Sequence, residues 1–314
     1  MATSGSKNFS VTRNDIINSA LRKLGEFDSS EAPGGDETAD ASQALNILIN
    51  ELSGVAGADI WLRQEITLFI QKSQESYQIG STGDHVTSSY VETTLSADAS
   101  SGTNSITLTS ITDVTAADYV GIKMDDGSIH WTTVANLANP MTIDDVTDDD
   151  AASGNAVYFY TTKAYRPHTL LYALRRDGSD YDIPIELIGD NEYRFLSQKG
   201  QTGVPNQVHY RQTLTNGTLF VWPTGDGDTD KIVLTAQYYP DDFDAASDNP
   251  EFPIEWTSAL IWGLADSLSA EYGLSDREQK TIAQRSQAKI NQALDADTEN
   301  ASVLFTVNNE GMTQ

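Results

Sequence analysis

The sequence predicts an α+β fold: N- and C-terminal helical hairpins packed as a bundle, a central β region, and an inserted acidic all-β domain. Three observations carry this expectation. Apolar residues recur at helical spacing near both ends of the chain. Short β-prone runs divided by Asp, Gly and Ser turns fill the middle. Residues 84–162 hold twelve acids against a single base, Lys123, which separates them from both flanks by composition.

The first helix is expected behind Thr12 and Asp15, which read as a capping box, with Ile16, Ile17, Ala20, Leu21 and Leu24 as its stripe and Gly25 as its stop. A linker with Pro33 leads to a second helix from about Asp36, striped by Ala41, Ala44, Leu45, Leu48, Ile49 and Leu52 and ending near Gly54 or Gly57. After Trp61 the alternation through Ile66, Leu68 and Ile70 opens sheet structure, so residues 1–83 form the first segment. Within 84–162, Asp125-Asp126-Gly127 is a hairpin signal, and the acid run Asp144 to Asp150 reads as a solvated loop. Residues 163–253 continue as strands, with Asn216-Gly217 a type I′ hairpin signal between Leu214 and Leu219. Residues 190–199 are expected to form one short helix on the sheet.

Residues 254–297 turn helical again. Trp256, Ala259, Leu260, Leu264, Leu268 and Tyr272 stripe one helix, and Ser275 with Glu278 caps the next, whose stripe includes Ile282, Ile290 and Leu294. This hairpin is expected to pack with 12–54. The segment 298–314 is an assembly tail whose apolar cluster, Val303, Leu304, Phe305 and Val307, either returns to its own core or inserts into a neighbour.

Composition narrows function. The net charge of −27, from 46 acids against 19 bases, disfavours tight binding to duplex nucleic acid, which depends on Lys and Arg at phosphates. No cysteine is present, which removes disulfides and thiolate metal sites. No signal-like apolar run opens the chain, and no 18-residue apolar stretch suggests a membrane span.

No catalytic kit stands out, and neither an enzymatic activity nor a cofactor is expected. His85, His130, His168 and His209 form no close metal-binding pair, and neither a GxSxG elbow nor a phosphate-binding loop occurs. Asp226, Asp228 and Asp230 begin like a calcium loop. The twelfth position is Gln237 rather than Glu, however, and β-prone Ile232 to Leu234 interrupt the turn, so a wet loop between strands is the better reading. Arg175-Arg176 and the Lys163/Arg166 pair are the densest basic spots, candidates for salt bridges to an acidic neighbour or contacts to passing phosphate.

The segment Asp15 to Gly25, the Asp- and Ala-rich helix Ala39 to Leu52, and Trp61 resemble the start of the head-to-tail adaptor proteins of short-tailed bacteriophages, the packaged-DNA-stabilisation and tail-tubular A group. Ile183-Pro184, Tyr193, Lys199, Gly203-Val-Pro205, Phe220-Val-Trp-Pro223 and Tyr238 resemble the β part of such proteins, and Pro253 to Trp256 with Ala259 to Ala265 their C-terminal helix. The resemblance covers roughly 12–80 and 163–297 and rests on the order of these words.

It implies a structural protein at the portal–tail junction of a virion, made in the host cytoplasm. Its copies would form a ring of about twelve under the portal protein. Double-stranded DNA would cross the lumen without specific binding, and the ring would offer a platform to the next tail component, a hub or nozzle. Shorter members of the group lack anything to match 84–162, so the resemblance assigns that segment no role. A tail hub or stopper of the same virion region is the alternative, and a glycan hydrolase with paired carboxylates in the β region ranks below it.

Overall fold

The computed structural model describes residues 9–25, 33–54, 62–179, 181–227 and 231–296. Its fold corrects the expected class. The described chain is mostly β: fourteen strands in two sheets, one nearly a barrel, against five helices that make up 27% of it. Helical hairpins around a bundle do not describe it. Two compact units divide the chain, Met1–Leu62 with Tyr239–Gln314, and Arg63–Tyr238.

The helices are α1 (Arg13–Leu24), α2 (Gly35–Ser53), α3 (Asp190–Phe195), α4 (Thr257–Leu268) and α5 (Asp276–Ala296). All but α3 belong to the first unit. Thr12 caps α1: its hydroxyl accepts the Asp15 N–H at 3.3 Å, while the Asp15 carboxylate accepts the Thr12 N–H at 3.0 Å. Gly25, at φ +82°, ends the helix in the left-handed region that a side chain disfavours. At the start of α5 the Glu278 carboxylate accepts both the Ser275 N–H at 3.1 Å and the Ser275 hydroxyl at 2.6 Å.

Helix α4 is the element on which the other helices of this unit converge. It buries Ala259, Leu260, Gly263, Leu264, Ala265 and Leu268, apolar positions that spread beyond one narrow stripe. Helices α1 and α2 each pack more extensively on α4 than on one another, and α5 lies along it as well. One apolar core results, joining Ile17 and Leu21 of α1, Leu45 and Ile49 of α2, and Leu260 and Leu264 of α4. Each such buried side chain contributes roughly 1.5–3 kcal/mol over an exposed one.

In the second unit the chain opens with β1 (Arg63–Phe69), β2 (Ser76–Ile79) and β3 (Val86–Thr87). It continues with β4 (Val91–Thr94), β5 (Ser105–Ile106), β6 (Tyr119–Lys123), β7 (Ile129–Asn136), β8 (Met141–Ile143) and β9 (Ala156–Tyr160). Last come β10 (Thr169–Arg176), β11 (Asp182–Leu187), β12 (Gln207–Arg211), β13 (Gly217–Trp222) and β14 (Lys231–Gln237). Eight strands make one sheet in the order β2-β13-β12-β11-β10-β14-β1-β3. Its pairings are antiparallel except β11 with β12. The alternating positions Ile66, Leu68, Ile232, Leu234, Leu219 and Val221 turn to one buried face.

The other six strands run β4-β9-β6-β7-β8-β5. Leu95 bridges Leu108 beyond the ends of β4 and β5, and the Thr109 N–H donates to the Thr94 carbonyl at 2.9 Å. These contacts tie the edges together and nearly close a small barrel, which removes two aggregation-prone edges. Val120, Ile122, Met141 and Val157 fill it, each with no exposed surface.

One detail differs from the sequence reading, and a second adds to it. The Asn216-Gly217 pair does not make a two-residue turn. β12 stops at Arg211, Leu214 is 96% exposed in the loop, and Asn216 is drawn into contact with the Thr82 hydroxyl. The acids from Asp144 to Asp150 are mostly exposed yet stitched to the barrel. Asp145 accepts from the Thr132 hydroxyl, Asp148 meets His130, and Asp150 accepts from the Ser101 N–H.

Candidate interaction surfaces

Arg175 and Arg176 end β10, and the register separates their fates. Arg176 pairs across the sheet with Asp182 of β11, whose carboxylate takes its Nε at 2.7 Å and its Nη2 at 2.8 Å. This two-point contact holds the Asp182 carboxyl below its usual range. Arg176 is thus spent within the sheet. Arg175 lies in register with buried Ile232, and its Nε is buried without a hydrogen-bond partner among the described residues.

Beside Arg176 in the ladder stands Lys231 of β14, a residue the sequence reading passed over. Its side chain is 4% exposed, and its Nζ lies 2.7 Å from Glu92 of β4 and over the Tyr90 and Tyr158 rings at 5.6 and 5.5 Å. Burial opposes its charge, but the Glu92 carboxylate and Tyr90 together outweigh that and raise the lysine above its ordinary value. Glu92, Tyr158, Arg176 and Lys231 enclose a cavity of about 100 Å³. At ~30 Å³ per molecule such a space takes a few waters, so these groups act as a joint between the barrel and the eight-stranded sheet.

The joint continues around Phe69, the last residue of β1. Tyr90, Trp131 and Tyr158 surround it with ring centroids 5.2, 5.1 and 4.8 Å away. The Gln71 amide completes the join by donating to the Ile129 carbonyl at 2.6 Å and accepting its N–H at 3.0 Å. Lys72 donates to the Asp126 carbonyl and Lys123 to the Gly227 carbonyl, both at 2.6 Å. Residues 84–162 are therefore fastened by aromatic contact and by cross-sheet hydrogen bonds.

A second polar cluster gathers on β12, β13 and α3. Asp190 accepts from Arg194 at 2.6 Å and from Arg211 at 2.8 Å, which keeps its carboxyl below the usual range. His209 binds the Ile188 carbonyl through Nδ1 and turns its buried Nε2 towards Asp190, 3.5 Å away and too far for a good hydrogen bond. Tyr193, His209 and Phe220 stack beneath, Lys199 lying over Tyr193 and Arg211 over Phe220. Tyr193 donates to Glu75 at 2.7 Å. The arrangement fixes α3 on the sheet, and among the described residues no hydroxyl is hydrogen-bonded to the His209 Nε2 to serve as a nucleophile.

The remaining candidates divide by position. Asp226 is half-buried within the connection between β13 and β14, while Asp228 and Asp230 lie outside the described residues. So do Val303, Leu304, Phe305 and Val307. Among the described residues, no group of three or more His, Asp or Glu side chains is placed to hold a metal ion. No helix among them is long and apolar enough to cross a membrane.

Sequence reasoning missed the Lys231–Glu92 joint for a physical reason. The partners are 139 positions apart, and each in isolation looks like an ordinary surface charge. The signal present was Lys231 standing at the head of an apolar strand. No protein-family model matches the chain, and no curated protein is significantly similar to it.

Proposed function

We propose that this chain is a structural virion protein, a head-to-tail adaptor. Its copies form a ring below the portal, extend the DNA channel and give the next tail component its platform. One observation supports the reading above the others. The words of the resemblance nearest the two ends, Asp15 to Gly25, Ala39 to Leu52 and Trp256 to Ala265, lie about 200 residues apart yet share one helical core. A unit built from both chain ends, carrying a β unit between them, suits a scaffold that both packs and displays. The net charge of −27 suits a lumen past which a polyanion slides without adhering.

The test is the mass of the purified protein, alone and after mixing with the cognate portal ring. The expected result is a closed ring of about twelve copies, formed alone or on the portal. A chain that stays monomeric with the portal present would remove the adaptor reading.

A further inference from the structure

We infer that the cleft between α1, α4 and α5 is a docking site for the C-terminal segment, residues 297–314, of a second copy of this chain. The cleft has a volume of about 520 Å³. Trp262, Leu274 and Ile282 give it an apolar floor, and Lys23, Arg277 and Arg285 stand around it. The Lys23 ammonium lies 5.3 Å from the Trp262 ring centroid and the Arg285 guanidinium 5.1 Å from it. Both cations lie over the one indole, which gathers positive charge at the cleft.

No carboxylate among the described residues forms an ion pair with Lys23, Arg277 or Arg285. Glu278 lies in the lining, but its carboxylate is taken by the Ser275 N–H at 3.1 Å and hydroxyl at 2.6 Å. In a chain of 46 acids and 19 bases, a cleft lined by Lys23, Arg277 and Arg285, two of them over one indole and none ion-paired among the described residues, complements an acidic, partly apolar peptide.

Residues 297–314 have that chemistry in a usable order. Asp297 and Glu299 come first, and Val303, Leu304, Phe305 and Val307 follow. The carboxylates match the rim and the apolar side chains match the floor. A second copy, not the same one, is the donor because of where α5 points. The cleft flanks the first turns of α5, whereas the segment leaves after Ala296, roughly 20 Å further along the axis from Ile282 at 1.5 Å per residue. To fill its own cleft the segment would have to reverse and run extended back along the helix. That return would spend about six extended residues, 297–302, and leave Asp297 and Glu299 short of the rim, whereas a head-to-tail contact with the next copy brings both the acids and the apolar cluster to the cleft and repeats around a ring. The inference needs only that copies associate, so it does not depend on the portal being the partner.

Hydrogen exchange of residues 297–310 in the full chain, read against protein concentration, tests it. The expected wild-type result is protection at high concentration that is lost on dilution. Arg277 and Arg285 are exposed, so Arg277→Glu with Arg285→Glu leaves the melting transition in place while weakening the concentration-dependent protection by about tenfold or more. Adding Asp297→Lys and Glu299→Lys to that chain restores complementarity and recovers the protection. Protection that does not depend on concentration would place the segment on its own chain and overturn the inference. Protection unchanged by the arginine reversals, none in the wild type at any concentration, or no recovery in the four-substitution chain would each overturn it as well. None of these measurements involves the portal, so they stand apart from the test of the adaptor reading.

Discussion

His85 lies flat against Trp131, the two rings 3.9 Å apart at their centroids and 4° from parallel. The His85 Nδ1 is also 2.6 Å from the Tyr160 hydroxyl. Burial in this aromatic joint, with Lys163 nearby, pushes the imidazole down to about 3.

That depression makes stability depend on pH. The folded chain keeps His85 neutral, while the unfolded chain takes up a proton near the ordinary value of 6.5. The unfolded state therefore binds more protons between about pH 6.5 and pH 3, and stability falls as pH drops through that window. Allowing for partial exposure, the loss is on the order of 2 kcal/mol. Denaturant midpoints at pH 7 and pH 4.5 should fall further apart in the wild type than in His85→Gln. Equal slopes for the two proteins would show that His85 does not titrate as its surroundings imply.

Phe69 should be the most sensitive residue of the joint. It is 1% exposed and touches three aromatic rings that belong to residues 84–162. Phe69→Ala should cost about 3–5 kcal/mol in equilibrium unfolding. A cost below about 1 kcal/mol would mean that the rings close over the gap.

Lys231 and Glu92 should respond unequally. Lys231→Met removes a buried charge and leaves an exposed carboxylate that water can solvate. Glu92→Gln leaves the ammonium buried with weaker support, and breaking one side of a buried pair costs about 3–5 kcal/mol at the upper end. Thermal melts should therefore rank Glu92→Gln below Lys231→Met, and the reverse order would refute the joint as described.

Gly263 of α4 faces Leu48 of α2 so closely that an added Cβ would stand 2.9 Å from the Leu48 Cδ2. Gly263→Ala should destabilise by roughly 1–3 kcal/mol through overpacking, and Leu48→Ala by about 2–5 kcal/mol through loss of core. Combining them should cost clearly less than the two separate losses added together, as a double-mutant cycle would report. Simple additivity would mean that the two helices do not meet there.

Local signals were legible in the chain because their causes are local. Thr12 with Asp15, Ser275 with Glu278, and Gly25 each act within a few residues, and α1 begins and ends, and α5 begins, where those signals stand. The candidate sites were legible only in part. Arg175 and Arg176 were visible as a basic pair, but nothing in the sequence shows that Asp182 occupies one and buried Ile232 stands beside the other.

Composition and local signals by themselves determined the strong acidity, the absence of thiol chemistry, both ends of α1, the start of α5 and the presence of many short strands. The tertiary structure alone decided that strands dominate the architecture and that β1 pairs with β14 across some 170 residues. It alone also closed β4 to β5 and placed α4 as the helix on which its neighbours converge. A period-2 pattern says which face of a strand is buried but not which strand lies beside it. That choice is made by long-range burial, as at Phe69 and Lys231, where side chains unremarkable in the sequence become the joint between two sheets.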